Sequence, residues 1–434
     1  DGEWIRSNSR SYDVSYVNSD DGSVQSNVAS MRDINWSSTT CPLGWATQSC
    51  HSTIFKGEHI TALNAPLASH FLVCGTDNGF LLLYRFPCVH ETAEYHRISA
   101  HEGIISSVQF SCDGAQLVSI GKLDRCIVQW NCQSIDSQGD LCHDQYQSDD
   151  DLLLQSRKSM ALVSDFMAKE STAACGILND LRSNKPPREF LGKKNFMTPI
   201  HQPISTSPAL NVNMSLNHVY GYSSQIVRNA VKYCGDGSVL YPCATLCVKN
   251  DRVSNSQSFF RLHTDGVSAV AMSASRTLAA TAQWGHNASI IIWDSINLES
   301  LKIIDDRQSY SVCAISFSSD EKKIAVVNAD DYHSISVYDW RSDLLLFRAH
   351  GGSCHISSLI FSHVGDELFT FGEGHACAWK IHSSVATLDN LILGKQGELK
   401  CFTCCATFNN MLLAGATDGS LYIFNSSCVL EKSP

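Results

Sequence analysis

The sequence has no basic stripe. Its 32 Lys and Arg are outnumbered by 43 Asp and Glu, for a formal net charge of -11, and the densest basic cluster is the short stretch from Arg188 to Lys193 and Lys194. Polyanions are held by concentrated Lys and Arg, so the expected partners include no nucleic acid and no membrane. No window approaches eighteen consecutive apolar residues, the minimum read as a bilayer-spanning helix. The opening residues Asp1-Gly2-Glu3-Trp4-Ile5-Arg6 lack the basic-then-apolar order of a secretory signal. Heptads are missing too, and with them a coiled coil.

Catalytic and metal signatures are equally scarce. There is no G-x-S-x-G elbow and no phosphate-cradling glycine loop; "GTDNG" and "GATDG" read as turns. Cys401, Cys404 and Cys405 in "CFTCC" offer half of a zinc site, but no second half follows at ligand spacing. Cys142-His143 and Cys50-His51 are isolated, and the run Asp149-Asp150-Asp151 lacks the Gly and closing Glu of a calcium loop. The expectation is no catalytic residue, no cofactor and no metal.

What remains is ordinary globular composition: 434 residues, 44% hydrophobic and 17% charged, enough for two or three domains. Nineteen cysteines are scattered beside Val, Ile and Phe, as at Cys74, Cys112, Cys126, Cys313 and Cys377. Free thiols in such company behave as small hydrophobes, so a reducing, cytosolic compartment is expected. The chain lacks an initiator Met and starts in a strand-like run, as a fragment of a longer protein would.

The internal pattern is a repeat. "DNGFLLLYRF" (77–86), "DRCIVQWNC" (124–132), "NASIIIWDS" (287–295), "YHSISVYDW" (332–340), "GHACAWKI" (374–381) and "DGSLYIFNS" (418–426) each run to an aromatic. Those aromatics are Tyr84, Trp130, Trp293, Tyr338, Trp379 and Phe424. Within the groups 84–130 and 293–424 they recur every 41 to 46 residues, the length of a four-stranded propeller blade.

The unit from His101 to Trp130 shows the plan: a His-containing lead-in, the strand "IISSVQFS", the turn "CDG", the strand "AQLVSIG", a tight turn at Asp124 and the strand "RCIVQW". These segments resemble WD repeats, in which the leading His, the Asp of the last turn and the closing aromatic pack and hydrogen-bond within one blade. The resemblance gives those roles to His101, Asp124 and Trp130. It gives part of the pattern to Asp77 with Tyr84 and to Asp418 with Phe424, and another part to His263 with Trp293 and to His350 with Trp379.

An all-β WD-repeat propeller is therefore the expected fold class. A blade cannot bury both apolar faces alone, so blades must stack around a ring. Two units at roughly 52–132 follow an incomplete strand pair ("EWIRSN", "SYDVSYV"), and four more run from about 260 to 426. Neither set fills a typical ring. Residues 1–132 are thus expected to be the closing blades of one propeller, and 250–434 the opening blades of a second.

Between them, residues 133–215 change from polar and acidic to proline-rich, the composition of a linker. A short helix is expected over 151–170, and Thr198-Pro199 and Ser207-Pro208 are candidate phosphorylation sites. Residues 216–249 contain Tyr220-Gly221-Tyr222, Arg228-Asn229, Gly237 and Tyr241, which resemble the HELP motif of the echinoderm microtubule-associated protein-like (EMAP-like) family. The order closing blades, linker, motif, opening blades resembles its long members with tandem modules.

An aromatic-rich run ahead of a first blade can supply edge pairing and fill the wedge between propellers. The resemblance accordingly implies that "HVYGY" is interred at a junction; an exposed tubulin-binding plug is the alternative. It further implies a non-enzymatic scaffold of the cytoplasmic microtubule cytoskeleton or ciliary axoneme, whose partners are tubulin, microtubules or microtubule-associated proteins. A WD-repeat signalling or ubiquitin-ligase-type adaptor that binds peptides is the second reading. A hydrolase with carboxylates in a propeller channel is the third.

Overall fold

The computed structural model describes the chain apart from residues 1, 10–12, 35, 54–57, 67–70, 90–92, 112, 135–198, 201–211, 223–226, 228, 286–287, 306–310, 363–366, 383–384, 394–396, 409–410, 426–427 and 433–434. The expected helix over 151–170, Thr198, Ser207-Pro208 and Arg228 fall outside the described residues.

Among the described residues the fold is almost wholly β: one two-stranded pair, Trp4–Asn8 with Val14–Asn18, and seven four-stranded antiparallel sheets. Blade I comprises Ile60–Asn64, Phe71–Thr76, Phe80–Arg85 and Tyr95–Ser99. Blade II takes Ile105–Phe110, Gln116–Gly121 and Ile127–Ser134, and its fourth strand is Val212–Tyr220, from the far side of the acidic and proline-rich stretch. Blade III is Lys232–Tyr233, Val239–Cys243, Leu246–Asp251 and Ser256–Phe260.

Blades IV to VII follow in simple order. They are Val267–Met272 to Ser300–Asp305, Val312–Phe317 to Leu344–Ala349, Ile356–Phe361 to Val385–Asn390, and Phe402–Phe408 to Leu430–Lys432. Strands extend into both ends of the segment 133–215, and residues 232–260 make a sheet of their own, a seventh beyond the six with closing aromatics.

Those six aromatics all lie on the third strand of their blade, and all are buried. The middle strands of blades IV and V, "SIIIWD" and "KIAVVN", are continuous apolar runs with both faces covered, as in any sheet sandwiched between others. Small residues line the interior of blade IV, where Ala269, Ala271, Ala279, Ala280 and Ala282 are buried.

The first strands of blades I and II lie against each other, and those of IV, V, VI and VII run as successive neighbours, with blade III against the first strand of blade IV. Between the two series the approach is made by the fourth strands of blades II and III. One apolar cluster spans that approach: Val73, Leu81 and Leu83 of blade I, Val128, Trp130 and Val219 of blade II, and Cys243, Leu246 and Val248 of blade III.

Candidate functional site

Blade II carries a complete buried relay. Trp130 Nε1 donates to Ser119 Oγ at 3.0 Å, Ser119 Oγ lies 2.8 Å from His101 Nε2, and His101 Nδ1 lies 2.9 Å from Asp124 Oδ2. A carboxylate only accepts, so Nδ1 carries the proton toward Asp124. Asp124 also accepts the backbone N–H of Glu102 (3.0 Å) and of Cys126 (3.1 Å). Its tight turn thereby ties the lead-in loop to the third strand. All four side chains are buried, and every polar atom in the chain of contacts is used, which burial demands.

Blade IV repeats this arrangement with one change. Trp293 Nε1 donates to Thr281 Oγ1 (3.1 Å), which meets His263 Nε2 at 2.7 Å, and His263 Nδ1 faces Gln283 Oε1 at 3.1 Å. Gln283 replaces the turn carboxylate from the end of the second strand, and its amide reaches back to Thr264 Oγ1 at 3.1 Å. With no charge to pair with, burial pulls the His263 pKa down to about 4.

His350 is corrected by the structure. It lies exposed against Tyr332, ring centroids 5.0 Å apart, and the partner of Trp379 is His375: Thr370 Oγ1 takes Trp379 Nε1 at 2.9 Å and meets His375 Nε2 at 2.8 Å. The turn Gly372-Glu373-Gly374 is so short that a His on the third strand itself reaches Thr370. Burial and then the neighbouring His333 lower the His375 pKa to about 4.

The other blades vary further. In blade V the Arg348 guanidinium donates to Ser336 Oγ (2.8 Å) and to the Tyr338 hydroxyl (3.2 Å). In blade I Asp77 accepts from the backbone of His59 at 3.0 Å, Tyr84 is buried beside Tyr95, and Glu58 pairs with Arg97 at 2.6 Å. Asp418 sits at the surface, pairing with Lys400 at 2.6 Å, while Phe424 is buried near Phe371.

The junction of blades II and III is stitched by a residue that no sequence pattern marked. The side-chain amide of Gln257 accepts from Val219 N (2.8 Å) and donates to Val219 O (3.1 Å), as a neighbouring strand would, and donates also to the Tyr241 hydroxyl at 3.1 Å. Asn229 (φ 56) and Gly237 (φ 84) take left-handed turns, and Asp236 beside Gly237 pairs with Lys249 at 2.7 Å.

From Ser238 onward the segment is largely interior, with Leu240, Cys243, Leu246, Cys247 and Val248 buried. Tyr220 and Tyr222 are not interred: they are 50% and 53% exposed. Strand alternation turns Val219 inward and Tyr220 outward, and Gly221, at φ 104, bends the chain over Cys126. Tyr222 and the half-exposed Val231 instead flank a groove of about 550 Å³ that blade VII closes with Thr403 and Cys404.

At the other end of the junction, Glu102 of blade II meets the loop before blade IV. A Cβ at Gly266 would stand 2.6 Å from the Glu102 carboxyl carbon, so any side chain there would push the Glu102 carboxyl aside. Burial, with the charges of Asp265 and Asp124, raises the Glu102 pKa to about 7. Among the described residues no three His, Cys, Asp or Glu side chains are grouped to hold a metal ion, and no helix is long and apolar enough to cross a membrane.

Four-stranded blades locked by His, hydroxyl and Trp side chains define a WD-repeat β-propeller protein. Profiles of two named propellers match it: the echinoderm microtubule-associated protein second beta-propeller over residues 1–132 and the first beta-propeller over residues 256–432. The chain belongs to the EMAP-like family.

Relatives include the 77 kDa echinoderm microtubule-associated protein of Lytechinus variegatus, 26% identical over 50% of this chain and 34% of its own length. The ciliary WD repeat-containing protein ctxp80 of Euplotoides octocarinatus is 25% identical over 52% of this chain and 34% of its own. The human echinoderm microtubule-associated protein-like 4 is 30% identical over 30% of this chain and 13% of its own. The chain spans about a third or less of the curated relatives it matches.

Proposed function

We propose that the chain is a non-enzymatic microtubule-associated scaffold, in which the end of one propeller is joined to the start of the next through residues 216–249 acting as a HELP motif. The observation that carries this is the order of the two profile matches: second-propeller sequence precedes first-propeller sequence, the order met where one module ends and another begins. The interruption in first-strand neighbours between blades II and III supports separate axes.

The partner is tubulin or a microtubule-associated protein, in the cytoplasm or the ciliary axoneme, bound through rigid blade surfaces and their loops. A net charge of -11 gives no attraction to acidic tails, so the contact is shape-matched to the ordered tubulin body. Cosedimentation with stabilised microtubules, intact and with their acidic tails cleaved, tests this. Retained pelleting in both supports the reading; absence of pelleting from both overturns it in favour of a peptide-binding adaptor.

A further inference from the structure

We propose that Asn78 is a site of spontaneous covalent modification: the backbone nitrogen of Gly79 displaces its side-chain amide, leaving aspartate or isoaspartate in the turn that ties blade I to blade II. Asn78-Gly79 is the only Asn-Gly pair in the sequence. It lies between the second and third strands of blade I, Phe71–Thr76 and Phe80–Arg85. Asn78 is exposed to water, and Gly79 has no Cβ to shield its nitrogen from the side-chain carbonyl beside it.

The fold keeps the glycine of this pair in place. Gly79 is left-handed, at φ 84, and a Cβ there would collide with the backbone oxygen of His101, so the position requires glycine. The Gly79 carbonyl accepts the N–H groups of Ala100 and His101, each at 3.1 Å, which fastens the turn to the lead-in of blade II. Its own N–H is loosely engaged, because the bond to Thr76 O is 3.4 Å long, beyond the usual range. The attacking nitrogen is therefore easily released. The amide that leaves faces a carboxylate, with Asn78 Nδ2 donating to Glu58 Oε1 at 3.2 Å.

The Gly79 nitrogen gives up its proton, bonds to Asn78 Cγ and expels ammonia, closing a succinimide ring. Water then opens the ring. Breaking the bond from nitrogen to Cγ gives aspartate; breaking the bond from nitrogen to the main-chain carbon gives isoaspartate, with the chain rerouted through the side chain. One water is consumed and one ammonia released, with no change of oxidation state. Aspartate sets a second carboxylate beside buried Glu58, which is already paired with Arg97 at 2.6 Å, and like charges at such a site repel. Isoaspartate also adds a methylene to the main chain and draws the Gly79 carbonyl off the two N–H groups it holds. Either product loosens the hold of blade I on blade II.

The test holds the whole chain folded at pH 8 and at pH 6, samples it over weeks and maps its peptides by mass spectrometry. Isoaspartate is read by methyl transfer from S-adenosylmethionine, catalysed by a protein isoaspartyl methyltransferase. A urea-unfolded sample run alongside gives the rate of the unconstrained pair. The expected result is replacement of the Asn78 amide by an acid in the folded chain, faster at pH 8, with isoaspartate at that position and a lowered melting temperature. Asn78→Ser aged in parallel should keep its melting temperature. Asn78 intact in the folded samples once the unfolded sample has been converted, or a converted wild type that melts together with the fresh one, overturns the proposal. The wild-type map and melt decide this even where the variant fails to fold.

Discussion

Blades II and IV hold the same His, hydroxyl and Trp relay but anchor it differently. In blade II a carboxylate from a tight turn accepts His101 and two backbone N–H groups. In blade IV a neutral amide from a strand end accepts His263 and Thr264 N–H and gives one bond back to Thr264. The anchor can therefore change charge and chain position while the buried hydroxyl stays fixed, because the hydroxyl must satisfy both the His and the Trp.

The largest expected effect falls on the shared part. Trp130→Ala and Trp293→Ala should each cost about 3–5 kcal/mol in urea unfolding; Trp293 also loses a parallel stack on Phe260 at 4.3 Å. The difference between the blades appears in the anchors. Asp124→Ala, which strands a buried His and two N–H groups, should cost about 3–5 kcal/mol, against about 1–3 kcal/mol for Gln283→Ala. Equal losses in the same unfolding assay would break the comparison.

Protonation sharpens it further. His263 has a folded pKa near 4, below its ordinary value of about 6.5, so the unfolded chain takes up the proton first and stability falls as pH drops from 6.5 to 4. Thermal melts of His263→Gln should show a shallower acid slope over that window. Glu102, raised to about 7 from an ordinary value of about 4.3, works in the opposite sense: the folded chain binds the proton more tightly, and its contribution is lost as pH rises through 7. The smallest expected effect is accordingly a modest gain in melting temperature for Glu102→Gln at pH 8, vanishing near pH 4.5.

The blades with a closing aromatic were legible because each carries a large apolar ring at a fixed interval, a signal that burial enforces. Blade III was not, since its first strand is two residues long and its third, "LCVKND", ends without an aromatic. The fourth strand of blade II escaped notice because no local pattern links Val212–Tyr220 to a partner far upstream.

His350 misled through its position in the lead-in, whereas the short turn handed its role to His375. Tyr220 and Tyr222 were expected inside from the family resemblance; alternation along the strand turns Tyr220 outward, and the bend at Gly221 carries Tyr222 to the surface. Gln257 gave no sequence signal, being one polar residue whose value lies in facing a backbone from another sheet.

Because the last strand of blade II is encoded about eighty residues after the third, the blade stays one strand short while the chain between them is made. At a synthesis rate of roughly 5–20 residues per second, the strand Ile127–Ser134 leaves the ribosome about 4 to 16 s ahead of its outer neighbour. Throughout that interval the nascent blade presents a bare hydrogen-bonding edge to every other growing chain nearby.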